Sequence, residues 1–176
     1  AGTTTLISQF MENNAFRLNI HNSIHSISPA DWNRLAGTEN PFIQYDFLSA
    51  LEDGGAVGAN SGWNIAHLAL HNTSNKLLGV VPHFLKQHSY GEYIFDHSWA
   101  NAYERSGQKY YPKSLAAVPF TPVPGPRLLS LDDDIKAKQA LLFSMKSIIE
   151  NNNLSSAHVN FINSSDSIDG PHFIPI

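Results

Sequence analysis

Apolar and polar positions divide this chain into short periodic runs separated by breaks rich in Gly, Pro and Asn. Phe16-Arg17-Leu18-Asn19-Ile20 alternates with a period of two, the pattern of a half-buried strand. Ser28-Pro29-Ala30-Asp31 carries three helix-start signals: a Ser N-cap, Pro at the first helical position and an acid three residues after the Ser. That helix is expected to reach about Leu35 and stop at Gly37. Tyr45 to Glu52 places Phe47, Leu48 and Leu51 on one face and ends at Gly54-Gly55, predicting a second short helix. Trp63 to Leu70 and Leu77 to Lys86 are apolar, β-favouring runs joined by a polar hexapeptide, which predicts an antiparallel hairpin. Pro82 inside the second run marks an edge position or a bulge.

Further along, Leu115 to Phe120 reads as another strand, running into a segment with Pro119, Pro122, Pro124 and Pro126. Ser130-Leu131-Asp132-Asp133 resembles a capping box ahead of the longest helix, Ile135 to Ile149, with Ile135, Leu142, Met145 and Ile149 on one stripe. Ala157 to Ile162 is a final strand with Val159 and Phe161 inward. The order β-α-α-β-β-loop-β-α-β predicts an α/β fold whose mixed, mostly antiparallel sheet is flanked by helices. Residues 1–14 are expected to be loosely ordered, 15–165 to form one domain, and 166–176 to begin a linker. The chain opens without an initiator Met and closes on an apolar tail, so part of a longer protein is expected.

Composition removes several function classes. Eleven Lys and Arg against fifteen Asp and Glu, with no basic run, argue against an electrostatic grip on DNA and make a tRNA grip by this chain alone improbable. The absence of cysteine excludes disulfides, thiolate metal sites and a Cys nucleophile. No stretch approaches the roughly 20 apolar residues of a membrane-spanning helix, and a cytoplasmic location is the expectation. His21 and His25 are four residues apart, as are His67 and His71, a spacing that holds zinc on a helix but not on a strand, so no metal site is expected. The glycine-rich run 53–62 follows a helix and precedes a strand, the reverse of a phosphate cradle, and reads as a loop.

The most unusual stretch runs from Tyr90 to Tyr111, with five tyrosines, a tryptophan, a phenylalanine, two glutamates, an aspartate, a histidine and an arginine. It is too polar for a core and too aromatic for a solvated linker. A cleft lining suits it, and so does an aromatic loop laid over a sheet.

Several motifs resemble one family: Asn40-Pro41-Phe42, Phe47-Leu48-Ser49-Ala50-Leu51-Glu52, Gly79-Val80-Val81-Pro82, the block from Ser89 to Arg105, Tyr110-Tyr111-Pro112-Lys113, and Val118 through Arg127. Over residues 40–165 the chain is similar to the FemAB-like family of predicted N-acyltransferases, relatives of the peptidoglycan aminoacyltransferases. The resemblance implies a GNAT (acyl-CoA N-acyltransferase) fold, a second GNAT-like domain in the same protein, and transfer of an acyl or aminoacyl group to an amine. Acyl-CoA or aminoacyl-tRNA is the implied donor. GNAT enzymes hold coenzyme A pyrophosphate on backbone N–H groups of a turn that here reads Pro122-Val123-Pro124-Gly125-Pro126-Arg127, where three prolines remove three donors.

Acyl transfer to an amine needs a base, an acid and donors near the developing oxyanion. Asp96, His97 and Glu104 are candidate bases, and Tyr103 or Tyr110 candidate acids. Arg105, Lys113 and Arg127 suit a carboxylate or phosphate, or ion pairs with Glu92, Asp96 or Glu104. Trp99 and Tyr103 would stack if Ser98–Arg105 were helical. Asp96, Tyr103 and Glu104 are the expected catalytic groups, and Trp99, Arg105, Tyr110 and Lys113, the last as an outer anchor, the expected acceptor-binding ones. Two other readings stand beside this one: a non-catalytic half that binds a ligand or buttresses a catalytic domain, and a fragment that self-associates as a homodimer.

Overall fold

The computed structural model describes residues 2–90 and 97–163. Within them, eight strands form two four-stranded sheets. The first sheet runs β1 (Arg17–His21), β3 (His67–His71), β4 (Leu77–Val81), β7 (Leu129–Ser130), antiparallel throughout. The second runs β2 (Trp63–Ile65), β5 (His83–Lys86), β6 (Lys113–Ala116), β8 (Ala157–Val159), with only β6 and β8 parallel. The helices are α1 (Gly2–Asn13), α2 (Pro29–Ala36), α3 (Tyr45–Asp53), α4 (His97–Arg105) and α5 (Ile135–Asn152). The chain is therefore a mixed, mostly antiparallel α/β structure, as the periodicity predicts.

The expected hairpin forms, but it serves both sheets. Each of its runs breaks once: at Ala66 between β2 and β3, and at Pro82 between β4 and β5. Pro82 has no N–H to give to a ladder, which is why the run breaks there. Across the break Ala66 N–H still donates to His83 O at 3.0 Å. One end of the hairpin lies in the first sheet and the other in the second.

The central strands of the first sheet, β3 and β4, are buried on both faces. Ala69 and Val80, opposite one another, pack with Trp32 and Leu35 of α2 and with Leu48 of α3. Leu68, Leu70 and Val81 face the other way, onto Leu141, Met145 and Ile148 of α5. Two buried faces explain why these strands read as continuous apolar runs rather than alternating ones. A third, smaller core of Val57, Trp63, Ile65, Phe84, Leu115 and Ala117 lies against the second sheet.

Helix starts follow the sequence closely at α2. Ser28 Oγ accepts from Asp31 N–H, Pro29 opens the helix, and Gly37 N–H closes it on Asn33 O. At α5 the start differs from the expected capping box. Ser130 is taken up in β7 opposite Gly79, and Asp134 caps instead, accepting from Lys136 N–H at 3.0 Å and Ala137 N–H at 3.2 Å. Residues expected to be loosely ordered at the start of the chain form α1, whose Phe10 meets Phe143 of α5 edge-on at 5.1 Å. The aromatic stretch contributes α4, a helix where the sequence left a loop.

Candidate functional site

Register in the second sheet places Trp63 opposite Lys86, and Lys86 opposite Lys113. The three side chains thus form one row across β2, β5 and β6. In each strand the residue two positions on (Ile65, Phe84, Leu115) continues the same face into the third core. The row closes the end of that core, and both lysines are buried, at 1% and 4% exposure for Lys86 and Lys113.

Buried ammonium groups need ring faces or oxygens around them. Lys86 Nζ lies 4.4 Å from the Trp63 ring centroid and donates to His88 O. Lys113 Nζ donates to the Tyr110 hydroxyl at 3.2 Å and lies 4.7 and 5.5 Å from the Tyr110 and Tyr111 ring centroids. Tyr110 meets Tyr111 edge-on at 4.9 Å and Tyr103 of α4 at 5.2 Å. On the other flank Trp63 contacts Phe120 at 5.5 Å, and its Nε1–H is buried without a partner among the described residues. His88 stacks on the exposed Tyr90 ring at 4.8 Å. Gly62 lets His88 sit this close: at φ +80° a Cβ there would lie 2.4 Å from the imidazole.

The expected site residues divide sharply. Tyr103, Tyr110 and Lys113 come together in this cluster. Lys113 is not an outer anchor but a buried member of the row, because its parity with Leu115 points it inward. Glu104 and Arg105 are on α4 and exposed, and their side chains have no partner among the described residues. Asp96, and the side chains of His97 and Trp99, lie outside the described residues. Arg127, a candidate for ligand binding or an ion pair, is fully buried and gives its guanidinium to carbonyls: Asn160 O at 3.1 Å, Pro126 O at 3.1 Å and Val123 O at 2.7 Å. It fastens the proline segment to the residue that follows β8. Lys86 and Trp63 were not among the expected residues. Their signal was parity: Lys86 is in phase with the buried Phe84, and a closed hairpin puts it level with Trp63.

A family model described as peptidoglycan biosynthesis/recognition matches residues 23–170, most of the chain. The chain belongs to the FemAB-like family. No curated protein and no solved structure gives a significant match.

The FemAB-like chain also buries a second polar group, away from the lysine row. His83 Nδ1 lies 2.8 Å from Ala66 O, so it carries the ring hydrogen, and Nε2 accepts from Ser114 Oγ at 2.7 Å. His67 Nδ1 in turn accepts from His83 N–H at 3.3 Å. A serine hydroxyl on an imidazole has the makings of a nucleophile and base. Here His83 and Ser114 are both 0% exposed, so no substrate reaches them. Burial pushes His67 down to about 3, with the neighbouring His83 and His21 adding to it, and pushes His83 down to about 4 against the opposing hydrogen bond at Ala66. Both rings are neutral at ordinary pH and act as internal hydrogen-bond links. Among the described residues no group of three His, Asp or Glu is arranged to hold a metal, and no helix is long and apolar enough to cross a membrane.

Proposed function

We propose that this chain is the acceptor-binding part of an N-acyltransferase that modifies an amine of a peptidoglycan-type substrate. The observation that carries the reading is the row of Trp63, Lys86 and Lys113 bordered by tyrosines, in a chain of the FemAB-like family. The two buried ammonium groups make the wall behind the partly exposed Tyr103 and Tyr111 electropositive, and that potential attracts an acidic group of the acceptor, such as a carboxylate, to the tyrosine surface. The rings of Tyr103, Tyr110 and Tyr111 give it flat apolar surface beside that charge. Glu104 and Arg105, exposed on α4, are offered to a second domain that brings the donor, acyl-CoA or aminoacyl-tRNA. Asp96, Glu104 and Tyr103 are the proposed proton-transfer groups, and Trp99 an additional ring for the acceptor. Calorimetric titration with an acidic muramyl peptide tests the reading. Saturable binding that Lys113→Met weakens about tenfold is expected; binding indifferent to both lysines would sink it.

A second reading, a binding or scaffolding half without catalysis of its own, is favoured by the turn before β7. Pro122, Pro124 and Pro126 have no N–H, Val123 N–H donates to Thr121 O, and Gly125 N–H donates to Phe161 O at 2.9 Å. Asn40 packs against Gly125 so closely that a Cβ would lie 2.2 Å from its Nδ2. A turn so occupied has little to give a pyrophosphate. Titration with acetyl-CoA tests the occupied turn: saturable heat would make this chain a donor-binding unit and overturn this reading, and no heat is the expected result.

A further inference from the structure

Away from the lysine row, the end of α2 and the segment Pro126–Asp133 border an open cleft of about 300 Å³, at the lower end of the size range for small-molecule sites. Leu35, Leu128 and Leu129 give it apolar walls, and Arg34, Ser130 and Asp132 supply its polar groups. Ser130 Oγ is buried and has no partner among the described residues. Arg34 engages only Nη2, donating to Leu77 O at 3.1 Å and lying 3.6 Å from Asp31 Oδ1. Its Nε and Nη1 have no partner among the described residues. Asp133 is tied to the buried Lys138 at 2.8 Å, but the Asp132 carboxylate has no partner among the described residues, Arg34 included.

A cleft of this size therefore has a cation on its wall, an anion that does not reach that cation, and an unsatisfied hydroxyl. A buried hydroxyl left without a hydrogen bond is costly, so the site is more stable with a polar occupant. We propose that this cleft binds a free α-amino acid with a small apolar side chain. The carboxylate accepts from the Nε–H of Arg34, a charge-assisted hydrogen bond. The ammonium donates to Asp132 and to Ser130 Oγ, and the side chain rests on Leu128 and Leu129. Neither charge alone suffices, because each pole of the cleft is answered by one end of the ligand. The inference does not depend on the function proposed for the lysine row, which lies on the other sheet.

The test is titration of the isotope-labelled chain with L-alanine, followed by amide shifts. L-lactate, which replaces the ammonium by a hydroxyl, and ethylamine, which lacks the carboxylate, are titrated beside it. Saturable shifts at Ser130, Leu131 and Asp132 are expected with L-alanine, with binding about tenfold weaker for each analogue. Asp132→Asn, at an exposed position that leaves the fold intact, is expected to weaken L-alanine about tenfold and leave L-lactate unchanged. No saturable shift at these amides up to about 50 mM L-alanine, equal binding of L-lactate, or shifts confined to the Lys86–Lys113 row would each overturn the proposal.

Discussion

His83 and Lys86 are three residues apart on β5 and point to opposite sides of it, and each belongs to a pair of buried bases. On one side His67 and His83 are held by a backbone amide, a carbonyl and a serine hydroxyl, and they are neutral. On the other, Lys86 and Lys113 lie over rings, with a carbonyl and a phenol oxygen as acceptors. Burial removes water on both sides; the imidazoles answer it by giving up the proton, and the lysines are met by ring faces and oxygens. The histidines make a sealed polar link between the sheets. The lysines concentrate two ammonium groups beside aromatic surface, an arrangement suited to recognising an anion. Burial of a base therefore does not mark a function; what surrounds it does.

Acid separates the two pairs most strongly. Both histidines have folded pKa values below the unfolded value near 6.5, so below that pH the unfolded chain binds the protons. Their contribution is intact above about pH 6.5 and falls by up to roughly 3 kcal/mol per pH unit for the two together as pH drops toward 4. Denaturant unfolding at pH 7 and pH 4.5 is expected to show a loss comparable with the whole stability of a typical domain, and His67→Gln is expected to make that loss shallower. A flat profile would mean that the histidines are not sealed.

Removing the ring between the two regions comes next. Trp63→Ala opens a cavity beside Phe84 and takes the ring from Lys86, with an expected destabilisation of about 3–5 kcal/mol in urea unfolding. Lys86→Met and Lys113→Met are expected to change stability by less than about 2 kcal/mol, with either sign, because an apolar side chain of similar length escapes the desolvation cost. Their binding of an acidic muramyl peptide is nonetheless expected to fall about tenfold. A large stability loss without a binding loss would make the lysine pair structural like the histidine pair. The smallest effect belongs to Glu104→Ala and Arg105→Ala, both at exposed positions, with stability expected within about 0.5 kcal/mol. Any loss of transfer activity in the full protein would then report on chemistry and not on folding.

Local chemistry made α2 legible, because Ser28, Pro29 and Gly37 act within one turn of where they stand. The two hairpin runs were legible for the same reason, and Pro82 marked the place where the second one breaks. The start of α5 was not: Ser130 and Asp134 are both competent caps, and pairing with Gly79 of β4 decided between them. At the site, the Tyr90–Tyr111 stretch announced an aromatic cluster, and Tyr103 and Tyr110 are in it. Glu104 and Arg105, next in sequence, turn to solvent, since neighbours on a helix point about 100° apart.

The sequence by itself determined the type of fold, the family, the helix caps that act locally and the concentration of rings after β5. Only the tertiary structure decided that one hairpin serves two sheets, that Lys86 and Lys113 are buried side by side, and that Arg127 is buried and donates to three carbonyls. The physical reason is range. Caps and periodicity are set by neighbours a few residues away, whereas the burial of Lys86 is set by strands that no local pattern specifies, β2 at Trp63, 23 residues before it, and β6 at Lys113, 27 residues after it.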